Sequence, residues 1–385
     1  MTSRTRFWVL AVSTPIIAFA VLGGYLGQVW ANDATFQHLR VFDDVFSLVL
    51  NNYVEEVNVQ KAMHGAMDGL AEGLDADSGF LTPDLARTVG TPLGAADIGV
   101  DVTRQYYLRI IDVRAGSPAA KAGLRTGDFI RAIDDKSTRD MSTYEGTRLL
   151  HGQAGSKLTL LVIRGNAADP HTVPLVRERA TGPELTSRMA GTSTGYVHVA
   201  DFENDTAAHL KQAVATLTKE GASRFVIDVR NSAHGDLDDG IAAARLFVKS
   251  GTLAIKQTKT GKTTIAADAG DGAIAAPVVL LVDSGTAGPA EVFAAALSGN
   301  ERAQLVGEHT QGRAAHQRLV TLPDGSGLYL TVERYLTPKS AQLHEKGLEP
   351  DVEVDEPDVD FGSPAPTTDP TLQRAIQMLT AKQAA

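Results

Sequence analysis

The chain has no cysteine in 385 residues, which excludes disulfides, thiolate nucleophiles and Cys-ligated metal centres. Basic residues are in deficit, since 36 Lys and Arg face 46 Asp and Glu for a net charge of −10. No basic stripe offsets that balance, so nucleic acid is excluded as a partner. A hydrophobic content of 43% is enough for two or three domains with ordinary cores. Asn204-Asp205-Thr206 matches a glycosylation acceptor, but one match in a chain of this length is expected by chance and carries no weight.

At the N-terminus, Arg4 and Arg6 precede an uncharged apolar run over residues 7–27. About 20 apolar residues suffice to cross a bilayer, and positive charge before the run orients the body outside the cytoplasm. Val29-Trp30-Ala31 resembles a small-x-small cleavage site and makes a removable signal peptide the rival reading. The expectation is an inner-membrane anchor in a bacterial envelope, with the body in the periplasm.

Residues 36–90 read as helical, with Phe36, Leu39, Phe42, Val45, Phe46 and Val49 near helical spacing and Asp75–Gly79 as a polar turn. From 96 to 180 the pattern changes to short β-prone runs separated by turns. The order IGV, SPAAKAGLRTGDFI, HGQAGSKLTLLVIR resembles a PDZ domain. That resemblance implies an edge strand that accepts an extended peptide, and a loop at Ile98, Gly99 and Val100 whose amides receive its terminal carboxylate. After Gly182-Pro183 strands and amphipathic helices alternate, as in a βαβ arrangement with sites at strand C-termini. The expected division is 1–30 anchor or signal, 31–95 helical region, 96–180 PDZ, 181–355 α/β core, and 356–385 Pro-rich linker with a short helix.

The motifs that carry chemistry are RNSAHG (230–235), DSGTAGPAE (283–291) and VGEHTQGRAAHQ (306–317). With the flanking YVEEV and LTPKSAQLHEKGLEPDV, they resemble, in order, the carboxyl-terminal processing peptidases. This family of tail-specific serine peptidases has an embedded PDZ domain and a Ser-Lys catalytic pair. The resemblance implies an α/β core of crotonase-like βαβ type with an inserted PDZ domain, an N-terminal helical segment and one transmembrane helix. It places Gly288 at the nucleophile, Arg313 at the base, Gln317 at the glutamine that orients the base, and His234 at the first glycine of the oxyanion turn.

Glycine has no hydroxyl, so no acyl-enzyme forms at 288. Arginine stays protonated and cannot act as the base that a buried lysine becomes. Losing the nucleophile alone costs about 10⁶ in kcat in a serine protease. His234 is expected to re-angle its amide, and Arg313 to pair with Glu291 or Glu308, the alternative being that it binds a peptide carboxylate. The reading is a pseudopeptidase without metal or cofactor that binds unstructured polypeptide C-termini or a partner protein. It is expected to be a homo-oligomer or a mixed oligomer with an active relative. The alternative is a divergent active serine-type endopeptidase using Ser284 or Thr286 with His234, His309 or His316 as base. A three-histidine metal site with Asp236 or Glu308 has no supporting ligand spacing.

Overall fold

The computed structural model describes residues 33–165, 170–180, 185–203, 205–355, 359, 361, 363 and 368–381. The apolar run at 7–27 and Asn204 lie outside the described residues. Among the described residues no helix is long and apolar enough to cross a membrane. The chain divides into two compact units, Met1–His64 and Gly65–Ala385.

In the first unit, helix Asp33–Asn52 leaves Leu39, Val41, Phe42, Val45, Leu48 and Val49 exposed. Phe42 and Phe46, one turn apart, stack with ring centroids 6.3 Å apart.

The second unit holds an α/β core and an antiparallel sheet inserted before it. Core strands run in the order Val352–Glu353, Ala303–Gly307, Val278–Val282, Arg224–Asp228, Thr194–Val199, Leu185–Met189. All neighbours are parallel except the last pair. Alternate side chains of each strand point to opposite faces, and helices cover both. Phe225, Ile227, Leu280 and Val282 pack with helices Thr206–Lys219, Leu237–Arg245 and Pro289–Gly299. Val226, Val279, Leu281 and Val306 meet Leu372, Ala375 and Leu379 of helix Pro370–Ala381. The C-terminal helix is therefore one of the core's layers. Linker residue Phe361 stacks on His171 at 4.2 Å beneath Arg164 at 4.8 Å, so it packs against the inserted domain.

That domain is a sheet of Val100–Gln105, Tyr107–Val113, Phe129–Ile133, Lys157–Ile163 and His171–Val176 in this order, with the short strand Lys136–Ser137 beside the third. Val100–Gln105 is a terminal strand, as β-augmentation requires. Helix Thr143–Leu150 starts at Ser142, whose hydroxyl accepts from Glu145 N.

One sequence expectation needs correction. Residues 79–81 do not continue the helical segment; they form a strand paired with Gly327–Tyr329. A second sheet, built also from Ala315–Thr321, Thr252–Thr258 and Gly261–Ala266, thus brings the Asp75–Gly79 turn beside the core. Helical periodicity could not reveal this, because a three-residue strand is too short to show a period of two.

Candidate functional site

Three loops converge at the C-terminal ends of adjacent parallel strands, following Arg224–Asp228, Val278–Val282 and Ala303–Gly307. This is where open α/β sheets place their sites. The middle loop turns tightly from Asp283 to Gly288. The Asp283 carboxylate accepts from Gly285 N at 3.0 Å, Asn231 N at 3.0 Å and the Thr286 hydroxyl at 3.1 Å. Burial pushes its carboxyl up to about 7.

Gly288 ends that turn with φ +56 as the N-cap of helix Pro289–Gly299, a backbone state in which a side chain is strained. A Cβ built there would lie 3.3 Å from Ala233 O and 3.7 Å from Arg313 O. A small side chain therefore fits, at the cost of strain. The Gly288 N–H is already spent on Glu291 Oε2 at 3.2 Å. Pro289 occupies the first helical position and has no N–H. Immediately after Gly288 there is thus no amide that could stabilise an oxyanion. The sequence reading noted the glycine and overlooked the proline beside it.

Glu291, fully buried, joins this elbow to the third loop. It accepts from Gly312 N at 2.7 Å, Arg313 N at 2.7 Å and the Thr310 hydroxyl, besides Gly288. Burial pushes its carboxyl up to about 7 despite the four donors, which pull the other way. Because both backbones bind one carboxylate, residues 288 and 313 are held side by side.

The expected pairing of Arg313 is corrected here. Only its main chain meets Glu291. Its guanidinium Nε donates to Asp77 at 3.1 and 3.3 Å. Asp77 is 4% exposed and is aimed by Asp75, whose Oδ1 accepts from Asp77 N at 3.0 Å and Ser78 N at 2.7 Å. Burial works against charge on Arg313, but Asp77 and Asp101 outweigh it and raise its pKa above the ordinary arginine value. The group is a permanent cation. Gln317 donates to Thr331 Oγ1 at 3.1 Å, and Thr331 N donates to Ser78 Oγ at 3.1 Å, so the glutamine is tied to the same turn. The Asp-x-Asp-Ser-Gly pattern of a side-chain-closed turn was the available signal for Asp77. Its role depends on a long-range strand pairing.

His234 also behaves differently from expectation. Its main chain lies in a two-residue parallel ladder, opposite Asp201, followed by Phe202 opposite Gly235. Gly235 has φ +119, and a Cβ there would overlap the Phe202 carbonyl. The ladder, rather than the bulk of the imidazole, sets the backbone of this turn. The ring points into the cleft, with Nε2 2.8 Å from Glu203 Oε1 and Nδ1 3.8 Å from Asp101 Oδ2. Asp101 and Glu203 push His234 up to about 9 against the effect of burial. Both contacts are ion pairs of the imidazole ring, the one to Glu203 being the shorter.

Asp101 comes from the edge strand of the inserted domain, which lies against the core. Arg109 donates to Gln311 at 2.9 Å, and Thr126 donates to Asn231 at 2.8 Å. Burial would raise the Asp101 carboxyl, but His234, Arg313 and Arg114 hold it well below the usual range. Asp112, directly opposite it in register, is buried with Oδ1 unbonded. Burial, then Asp101 and Asp283, raise the Asp112 carboxyl well above normal. A cleft of about 540 Å³ is lined by Asp101, Glu203, His234, Gly288, Pro289, Arg313 and their neighbours. Arg313 and Gln317 also line a second cavity of about 250 Å³ with Asp77, Arg148 and Tyr329.

Of the alternative nucleophiles, Thr286 is fully buried, and its hydroxyl donates to Val229 O at 2.8 Å as well as meeting Asp283. It does not face the cleft. Ser284 is not among the lining residues of the cleft. His316 lines the cleft, whereas His309 lies 3.6 Å from Glu349, so the three histidines do not converge. The loop Ile98, Gly99 and Val100 is buried, with the Ile98 and Gly99 carbonyls bonded to Ala119 N and Arg114 N, both at 2.9 Å. Gly99 has φ +78, and a Cβ there would overlap Ser117.

Fold and site together define a serine-peptidase-type α/β core with an inserted PDZ module. The profile of peptidase family S41 matches residues 193–354, and a PDZ profile matches residues 109–164. The chain is 30% identical over 410 residues to the carboxyl-terminal-processing protease of Synechocystis sp., spanning 99% of this chain and 95% of that one. It is 28% identical to the carboxy-terminal processing protease CtpA of Bacillus subtilis, spanning 93% of this chain and 79% of that one. Among solved structures, the photosystem II D1 C-terminal processing protease superposes with a TM-score of 0.68 at 30% identity, covering 79% of this chain and 84% of that one. The chain belongs to peptidase family S41.

Proposed function

We propose that this member of the family is a membrane-tethered, extracytoplasmic protein that binds unstructured polypeptide C-terminal tails, or a partner protein, through its PDZ domain without cutting them. One observation carries the reading: the nucleophile position is Gly288, and the base position is an arginine ion-paired to buried Asp77. The missing N–H of Pro289 and the committed hydroxyl of Thr286 add support, because neither an oxyanion donor nor a substitute nucleophile adjoins the gap. The terminal position of strand Val100–Gln105 in its sheet and the positive-φ glycine of the Ile98-Gly99-Val100 loop support peptide capture by strand addition. The uncharged run 7–27 supports the tether and a location in the bacterial envelope. The exposed apolar residues of helix Asp33–Asn52 support self-association or pairing with an active relative.

The test has two arms. Purified protein is incubated with an unfolded substrate, with Gly288→Ser/Pro289→Ala/Arg313→Lys as the attempt to rebuild activity. Turnover by the unaltered chain would overturn the reading. In the second arm, tail peptides with free and amidated C-termini are compared for binding. The expected result is no cleavage and a clear preference for the free carboxylate, reduced in Gly99→Ala.

A further inference from the structure

Asp101 has no evident part in peptide capture by the PDZ loop, yet it is the one PDZ side chain that lines the core's cleft. It lies 3.8 Å from His234 Nδ1 and feels the charge of Arg313. His234 keeps Glu203 at 2.8 Å, and Arg313 spends Nε on Asp77. No bond from the two Nη atoms of Arg313 is seen among the described residues, so the planar fork that suits a carboxylate is uncommitted. Gly288 leaves open the volume that a side chain there would fill. Across the ladder, Asp112 faces Asp101 with a buried, unbonded carboxyl oxygen. Two neighbouring carboxyls, one buried and one half-buried, disfavour each other's charge, and the cations of the core offset this at Asp101.

We propose that the emptied catalytic cleft is a carboxylate site, filled at rest by the chain's own Asp101, and that an Asp or Glu side chain of a bound tail takes its place between His234 and Arg313. The proposal rests on the tail-binding reading and adds a specificity to it. The tail's terminal carboxylate occupies the PDZ loop, while an acidic residue upstream reaches the cleft. Moving the edge strand to admit a peptide withdraws Asp101 from His234, and the ligand's carboxylate replaces that ion pair and takes the uncommitted Nη atoms of Arg313. Tails without an acidic residue at that distance leave Arg313 with Asp77 alone.

The experiment uses the full-length chain and paired peptides with one common free C-terminus, carrying Glu or Gln at successive upstream positions. Binding is read by fluorescence anisotropy. At one position the Glu peptide is expected to bind about tenfold more tightly than its Gln partner. Asp101→Asn, which weakens the internal competitor, raises affinity for that Glu peptide by a further factor of about ten and speeds amide exchange over residues 98–105. Asp77→Asn/Arg313→Gln, which removes both members of the ion pair so that no buried charge is stranded, abolishes the Glu-over-Gln contrast. A contrast that survives in this double variant overturns the proposal, as does the absence of any contrast in both wild type and Asp101→Asn. If free-terminus peptides bind equally whether they carry Glu or Gln, tail binding stands and this inference falls. If no peptide binds at all, both fall.

Discussion

The two sides of the cleft differ in what their groups can do. On one side, Glu291 still ties the elbow to the third loop through four donors, and Asp283 still closes the turn before it. On the other side, Gly288 has no hydroxyl, Pro289 has no N–H, and Arg313 is a fixed cation. The frame supports the fold as well as any chemistry, because a buried carboxylate and three buried backbone amides must satisfy one another. The frame makes no use of a hydroxyl at 288 or an amine at 313, so it packs without them. A conserved-looking scaffold is therefore weak grounds for assigning activity.

Removing the frame is the harshest way to break this contrast. Glu291→Ala strands three buried amides and a buried hydroxyl and is expected to cost about 4 kcal/mol in urea unfolding. The pH dependence gives the sign of its titration. Its folded pKa of about 7 lies above the ordinary glutamate value of 4.5, so the folded state binds the proton more tightly. Its contribution to stability is then full below pH 4.5 and is lost as pH rises through about 7. Glu291→Gln, which does not titrate, should flatten that part of the profile; an unchanged profile would show that another group is responsible.

Breaking the brace on the reactive side has a smaller effect. Arg313→Gln leaves Asp77 buried without its cation and is expected to cost about 2 kcal/mol, since the arginine is 27% exposed and water screens part of the pair. Asp77→Asn added to it should recover most of the loss, giving a positive coupling in a double-mutant cycle. Additive effects would mean that the two side chains do not depend on each other.

Refilling the nucleophile position is milder still. Gly288→Ser introduces a side chain at φ +56 with 3.3 Å to Ala233 O, for about 1 kcal/mol of destabilisation. Neither this variant nor Gly288→Ser/Arg313→Lys is expected to hydrolyse an unfolded substrate while Pro289 withholds its amide. Cleavage by the two-residue variant would show that the oxyanion is stabilised from elsewhere.

Much of the fold was legible because it depends on local patterns. The apolar runs FVID and VVLLV became central parallel strands buried on both faces. Leu210, Ala213, Val214 and Leu217, spaced for one helical face, are all buried on that face. The same logic missed Gly79–Leu81 and treated Phe361 as linker, because a three-residue strand and a single docked ring have no period. At the site, motif order singled out Gly288, Arg313, Gln317 and His234, which the fold brings to one cleft. It gave the wrong partners for Arg313, and it assigned nothing to Asp77 or Asp101.

The sequence by itself determined which atoms are missing. A hydroxyl, an N–H and a titratable amine are properties of residue identity, and no fold can restore them at Gly288, Pro289 and Arg313. Tertiary structure alone decided where the remaining charges go. Asp77 reaches Arg313 through a strand pairing across 236 residues of sequence separation, and Asp101 reaches His234 only because the PDZ sheet lies against the core. Ion pairs are set by distance in space and by burial, and neither is encoded in the spacing of residues along the chain.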